Sequence, residues 1–70
     1  MPRVPLNERQ EQYLRLLANE GDLRITDFIN ITGDSNSTVS NTLAKLRESG
    51  LVEQLPNKRR SITQLGLQQL

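Results

Sequence analysis

Between Gly33 and Gly50, three apolar residues recur at spacings of four and three: Val39, Leu43 and Leu46. This is the buried stripe of an amphipathic helix. It predicts a helix over 36–49, with Ser35 as N-cap and Gly50 just past its end. The same stretch, GDSNSTVSNTLAKLRESGLV, opens that helix with short polar side chains: Ser35, Asn36, Ser37, Thr38 and Ser40. Such side chains compete with the helix for backbone hydrogen bonds, so local stability does not account for so many of them. With the stripe turned inward, residues 37, 38, 41 and 45 lie near the opposite face.

The flanking segments complete a small pattern. MPRVP, with two prolines, reads as part of a loose leader over 1–6, and the folded domain is expected to span 7–70. Asn7 and Gln10 have capping-box spacing, and Tyr13, Leu14 and Leu17, with Leu16 at the edge, share one face. They predict a first helix over 8–19, stopped at Gly21. Asp22–Ile25 alternates like a short extended piece. Thr26 is expected to cap a two-turn helix over 27–32, with Phe28, Ile29 and either Ile31 or Thr32 on its apolar side. Beyond Gly50 the character changes. Leu51, Val52 and Leu55 read as extended, Pro56–Arg59 as a turn and Ser61–Thr63 as a returning strand. A short helix opening at Thr63 or Gln64 then carries Leu65, Leu67 and Leu70, with Gly66 weakening it. The fold class is therefore mainly α with a small β-hairpin, in the order α-β-α-α-β-β-α. Two helices joined by a tight glycine turn form a helix-turn-helix, and a basic hairpin directly after it is a wing.

Composition limits what such a fold can do. A chain of 70 residues buries only about 60% of its unfolded surface, so its core is thin. Without cysteine there is no disulfide to supplement it. Without cysteine or histidine, a zinc or iron site is not expected. Histidine-based acid–base or nucleophilic chemistry is excluded. The acids share no apolar pocket, so the chain is not expected to be an enzyme, and no cofactor motif is present. No apolar run is long enough to span a membrane. The net charge is +1, but it is unevenly spread. Residues 1–34 hold four arginines against six acids, whereas residues 35–70 hold Lys45, Arg47, Lys58, Arg59 and Arg60 against Glu48 and Glu53. The basic half can face a polyanion.

The stretch Gly33–Val52 resembles the winged helix-turn-helix of MarR-type and related prokaryotic transcription regulators. The positions that carry the likeness are Gly33, Ser35, Ser37, Thr38, Val39, Ser40, Leu43, Leu46, Gly50, Leu51 and Val52. Ser61–Leu67 resembles the segment that follows the wing in those proteins, and LNERQEQYLRLL resembles their opening helix. Two positions depart from the pattern. Asp34 replaces an apolar residue and is expected near a phosphate backbone or as a cap of the third helix. Asn41 stands where a basic residue is common.

The resemblance implies sequence-specific binding of double-stranded DNA by a small transcription regulator, a repressor that acts by occupying its site. The N-terminal residues of the second helix of such a motif approach base edges in the major groove. Here those are Asn36, Ser37, Thr38, Ser40 and Asn41. Asn41 is the best reader, since an asparagine can pair bidentately with adenine. Lys45 and Arg47, with Asn57, Lys58, Arg59 and Arg60 of the wing over 56–60, are expected on phosphates or in a flanking minor groove. About five phosphate contacts imply weak monomer binding with a log–log salt slope near −4 to −5. A homodimer on a two-fold site is accordingly expected, through the first helix or Leu65, Leu67 and Leu70. The expected location is cytoplasmic, in a prokaryote, virus or plasmid-bearing cell, at the nucleoid. The alternative is a winged helix used as a protein-interaction module, or as the DNA-recognition piece of a plasmid or phage replication or maintenance system. The plainer reading of the polar residues is a cap at Ser35 followed by solvated side chains.

Overall fold

Asn7 opens the first helix by satisfying its loose end. In the computed structural model, which describes residues 5–70, its side chain accepts from the Gln10 backbone N–H at 2.8 Å. The Gln10 side chain accepts from the Asn7 N–H at 3.0 Å. This reciprocal box starts α1, Glu8–Glu20, which buries Tyr13, Leu14 and Leu17. Leu6, just ahead of the cap, packs against the core.

The second helix, α2, is Ile25–Thr32, two residues longer at its start than the sequence suggests. Thr26 is not its cap. No side chain caps the helix; instead the Asp27 carboxylate, one turn in, accepts from the Arg24 N–H at 3.0 Å. Ile25 therefore belongs to the helix, and the expected extended piece shrinks to Leu23. On the apolar side Thr32 is the half-buried residue and Ile31 stands 51% exposed. The Thr32 hydroxyl donates to the Phe28 carbonyl at 2.7 Å and accepts from the Asp34 N–H at 3.2 Å, so it closes the turn into the next helix.

The third helix, α3, is Asn36–Glu48, capped by Ser35, whose Oγ accepts from the Thr38 N–H at 3.2 Å. Its end is tightened by Gly50 in the left-handed region at φ 78. There the Leu51 N–H reaches back to the Leu46 carbonyl at 3.0 Å and Leu51 drops into the core, the usual apolar partner of such a stop.

Strands β1, Val52–Gln54, and β2, Arg60–Ile62, pair antiparallel, with Val52 opposite Ile62 and Gln54 opposite Arg60. The returning strand thus begins at Arg60, one residue earlier than its sequence suggests. The cause is long-range: Arg60 exchanges both backbone hydrogen bonds with Leu23, at 2.6 and 3.0 Å. Thr63, expected both at the end of the strand and as one of two residues opening the last helix, caps α4, Gln64–Gln68. Its Oγ1 accepts from the Gly66 N–H at 3.1 Å and donates to the Gly50 carbonyl at 2.6 Å. Among the described residues, Tyr13, Leu14, Phe28, Val39 and Leu51 are fully buried at the centre of the core. The Tyr13 and Phe28 rings stack with centroids 4.7 Å apart. The architecture is a winged helix-turn-helix, α2 and α3 forming the motif and β1–β2 the wing.

Lys58 sits at the hairpin tip with φ 68, the one positive-φ residue other than glycine among the described residues. A left-handed backbone costs a residue with a Cβ about 1–2 kcal/mol, least for asparagine. Lys58→Asn is therefore expected to stabilise the domain by up to about 1 kcal/mol, read as a rise in Tm. An unchanged or lower Tm would count against strain at the tip.

Candidate nucleic-acid interface

The outward face of α3 follows from what its inward face buries. Val39, Leu43 and Leu46 are at most 3% exposed. At 100° per residue, the line opposite them runs through Ser37, Asn41, Ala44 and Glu48, and all four are exposed. Thr38, Thr42 and Lys45 lie towards α1, where a shallow depression also includes Asn7, Arg9 and Gln10. Asn36, Ser40 and Arg47 lie on the other flank, towards the wing.

The polar side chains differ in how far their bonding capacity is used. The Ser40 hydroxyl donates to Asn36 Oδ1 at 3.3 Å, and Thr38 Oγ1 accepts from the Ser35 hydroxyl at 3.0 Å. The side chains of Ser37 and Asn41 make no hydrogen bond with any described residue and point to solvent. Asn36, Ser37, Thr38, Ser40 and Asn41 do share one end of one helix, but the two with unspent donors and acceptors are Ser37 and Asn41.

The basic run of the wing is divided. Asn57 Oδ1 accepts from the Arg59 N–H at 3.0 Å and so shapes the turn. Lys58 alone projects from the tip. Arg59 folds back, donating from Nη1 to the Asp22 carbonyl at 3.1 Å. Arg60, in β2, faces the groove between α3 and the hairpin, which Arg47 also lines. Burial first, then the positive charge of Arg47, pulls the Arg60 pKa below the ordinary arginine value. The ion pairs among the described residues are Arg9–Asp34 at 3.4 Å and Arg15–Glu11 at 2.6 Å. None of Lys45, Arg47, Lys58, Arg59 and Arg60 is therefore paired with a described carboxylate.

Asp34 does not lie free beside a prospective phosphate, nor does it cap α3, which Ser35 does. It accepts from the Tyr13 hydroxyl at 2.6 Å, with Arg9 Nε 3.4 Å away. The turn of the helix-turn-helix is thereby tied to α1. Three residues that bear on the face escaped sequence reasoning. Ala44 leaves a gap in the middle of the outward line through which a partner surface can approach α3 closely, and Glu48 puts a negative charge at its far end. Both were available from the spacing that points to Ser37 and Asn41. Gln54, which accepts from Arg47 Nη1 at 3.1 Å, carries no local signal, because only strand pairing brings it there. Among the described residues no group of three His, Cys, Asp or Glu could hold a metal ion. No helix there is long and apolar enough to cross a membrane.

A helix-turn-helix followed by a hairpin, with a polar α3 left exposed, is the architecture of the winged helix-turn-helix proteins. Residues 9–54 match the family of bacterial regulatory proteins of the arsR type, and the chain belongs to that family. The sequence likeness to MarR-type proteins thus holds at the level of the winged helix-turn-helix regulator, while the family matched is arsR. The chain is also similar to the HTH-type transcriptional regulator FL11 of Pyrococcus horikoshii, 37% identical over 51 residues. That match covers 73% of this chain and 34% of the relative, so the chain spans about a third of that regulator's length. No solved structure matches it.

Proposed function

We propose that the protein is a sequence-specific binder of double-stranded DNA that represses transcription by occupying its site. The observation that carries this reading is the line Ser37–Asn41–Ala44. It presents unspent polar groups and one small side chain on an exposed helix that the major groove can admit. Helix α3 enters the groove by its N-terminal half, and Glu48 repels phosphates from the C-terminal half. Asn41 is the principal reader, Ser37 its neighbour, and Asn36, Thr38 and Ser40 contribute where the groove wall comes close. Lys45, Arg47 and Arg60 neutralise backbone phosphates on either flank, Lys58 reaches beyond them from the wing tip, and Asn57 and Arg59 hold the wing in shape. The protein acts without catalysis, in the cytoplasm. Two copies pair on a two-fold site, and Leu67 and Leu70, 46% and 47% exposed, supply an apolar face for that pairing.

Selection on randomised duplex DNA tests the reading. A defined motif is expected, made of two half-sites about one helical turn apart if the pair forms. Recovery of unselected sequence would refute it. Asn41→Ala is expected to cost about 1–3 kcal/mol of discrimination at one base pair. A uniform loss across sequences would remove Asn41 from its assigned role.

A further inference from the structure

The groove between α3 and the hairpin is lined by Ser40, Ala44 and Arg47 from the helix and by Gln54 and Arg60 from the wing, with Ile25, Leu43 and Val52 as its apolar lining. Its wall contains two guanidinium groups and no carboxylate. The arrangement is braced from three directions. Gln54 and Arg60 are directly opposite each other across the hairpin, so their side chains leave the same face, with Cβ atoms on the order of 5 Å apart. Arg47 comes down from α3 onto Gln54, its Nη1 3.1 Å from Oε1. Arg60 anchors its own Nη1 on the Lys58 carbonyl at 2.6 Å, and its backbone is locked to Leu23. Each arginine therefore spends one nitrogen on the protein and keeps the rest of its donor fork for a ligand. Two like charges held together without an acid repel each other, and an anion between them relieves that repulsion. Planar donor forks match the oxygens of a phosphate group.

We infer that this groove is a binding site for a single phosphate group, gripped jointly by Arg47 and Arg60, with Gln54 as the positioning residue that orients Arg47. The inference rests on the duplex-binding reading for one thing only, that the phosphate is a diester of the DNA backbone. A free phosphate anion has the same chemistry, and separate arms of one experiment distinguish the two sources.

In the first arm, Arg47→Gln, Arg60→Gln and the double variant are titrated with duplex DNA over a range of salt. If both arginines grip one phosphate, either single variant leaves that phosphate neutralised by the other arginine, so the log–log salt slope stays nearly unchanged in each single variant and falls by about 0.9 only in the double. Each single variant weakens binding only severalfold, and the double loses more than the two single losses combined. Additive losses, with a slope change of about 1.8 in the double variant, would mean two separate phosphates and would overturn the inference. Arg47 is exposed on α3, so its variant folds even if Arg60→Gln does not. In that case Gln54→Leu replaces the second arm of the cycle.

In the second arm, inorganic phosphate is titrated without DNA while the arginine Nε–H resonances are followed. Those of Arg47 and Arg60 are expected to shift together. The response is expected to vanish in Gln54→Glu, whose carboxylate occupies the Arg47 fork, while the Tm of that variant is kept or raised. Should the protein bind no duplex at all, the proposed function fails, and the phosphate titration alone decides the site. Paired shifts would uphold the inference, and their absence would overturn it.

Discussion

Gly66→Ala is expected to destabilise the domain by about 2–3 kcal/mol and to lower Tm by roughly 10–20 °C. On an exposed helix the same change would be favourable, since alanine gains about 1 kcal/mol over glycine in helix propensity. Here packing outweighs propensity. Gly66 is buried where α4 lies against Leu51, between α3 and β1, and against Ile62 of β2. A Cβ on it would press into the Leu51 carbonyl oxygen, lie 3.3 Å from the carbonyl carbon and sit 2.7 Å from Ile62 Cγ1. The Ile62 side chain can turn away, but the Leu51 carbonyl belongs to a backbone pinned on both sides. The Leu51 N–H is bonded to Leu46, and its carbonyl accepts from the Thr63 N–H at 3.0 Å. Relief then requires α4 to lift from the core, exposing Leu65. Thermal unfolding measures the effect, with Gln68→Ala, at an exposed position of the same helix, as a surface control. A change in Tm no larger than that of the control would mean that α4 does not rest on Leu51.

Tyr13→Phe removes a single oxygen and is expected to cost about 2 kcal/mol, the range for a hydrogen bond to a charged acceptor. The ring stays stacked on Phe28, so the loss isolates the link between α1 and the turn before α3. Its pH dependence is specific. Burial foremost, then the hydrogen bond to Asp34, pushes the Tyr13 pKa up to about 12, against about 10 in an unfolded chain. The neutral phenol is thus favoured by folding. Its contribution is complete below pH about 10 and is lost as pH climbs towards 12. The hydrogen bond from Tyr13, opposed by burial and helped by Arg9, holds the Asp34 pKa below its ordinary value. That contribution is complete above pH about 4 and disappears as pH falls through the lowered pKa. Tyr13 is the one tyrosine of the chain, so a spectrophotometric titration reports its ionisation directly. Ionisation near 10 in the folded protein would contradict the link. In Tyr13→Phe the loss of stability over pH 10–12 is expected to be smaller. Because Asp34 anchors the turn that aims α3, the same variant is also expected to bind duplex less tightly than wild type.

Sequence reasoning succeeded where the deciding interactions are local. The box between Asn7 and Gln10, the Ser35 cap and the stripe Val39–Leu43–Leu46 each operate within one or two helical turns. Spacing alone therefore identified α1, α3 and the face that α3 turns outward. Thr63 was one of two residues expected to open α4, and the same sequence also ran the preceding strand one residue too far, into Thr63. The misreading of α2 has a local cause as well: a threonine ahead of an acid reads as a cap, yet Asp27 reaching back to Arg24 serves the helix end equally well.

The contacts that the amino-acid order alone did not settle join residues far apart in the chain. Asp34 finds Tyr13 twenty-one positions away, and that partner converts an acid expected beside a phosphate into a brace for the turn. Arg60 leaves the wing tip because Leu23 offers it a bridge, and this places its guanidinium beside Arg47. Gly66, read as a weakness of α4, is a requirement of its crossing over Leu51. Short-range periodicity and capping chemistry thus determined which segments are helical and which side of each is apolar. The distribution of charge over the candidate interface was decided by strand register and helix crossing, because a side chain's direction depends on its backbone's partner and not on its neighbours in sequence.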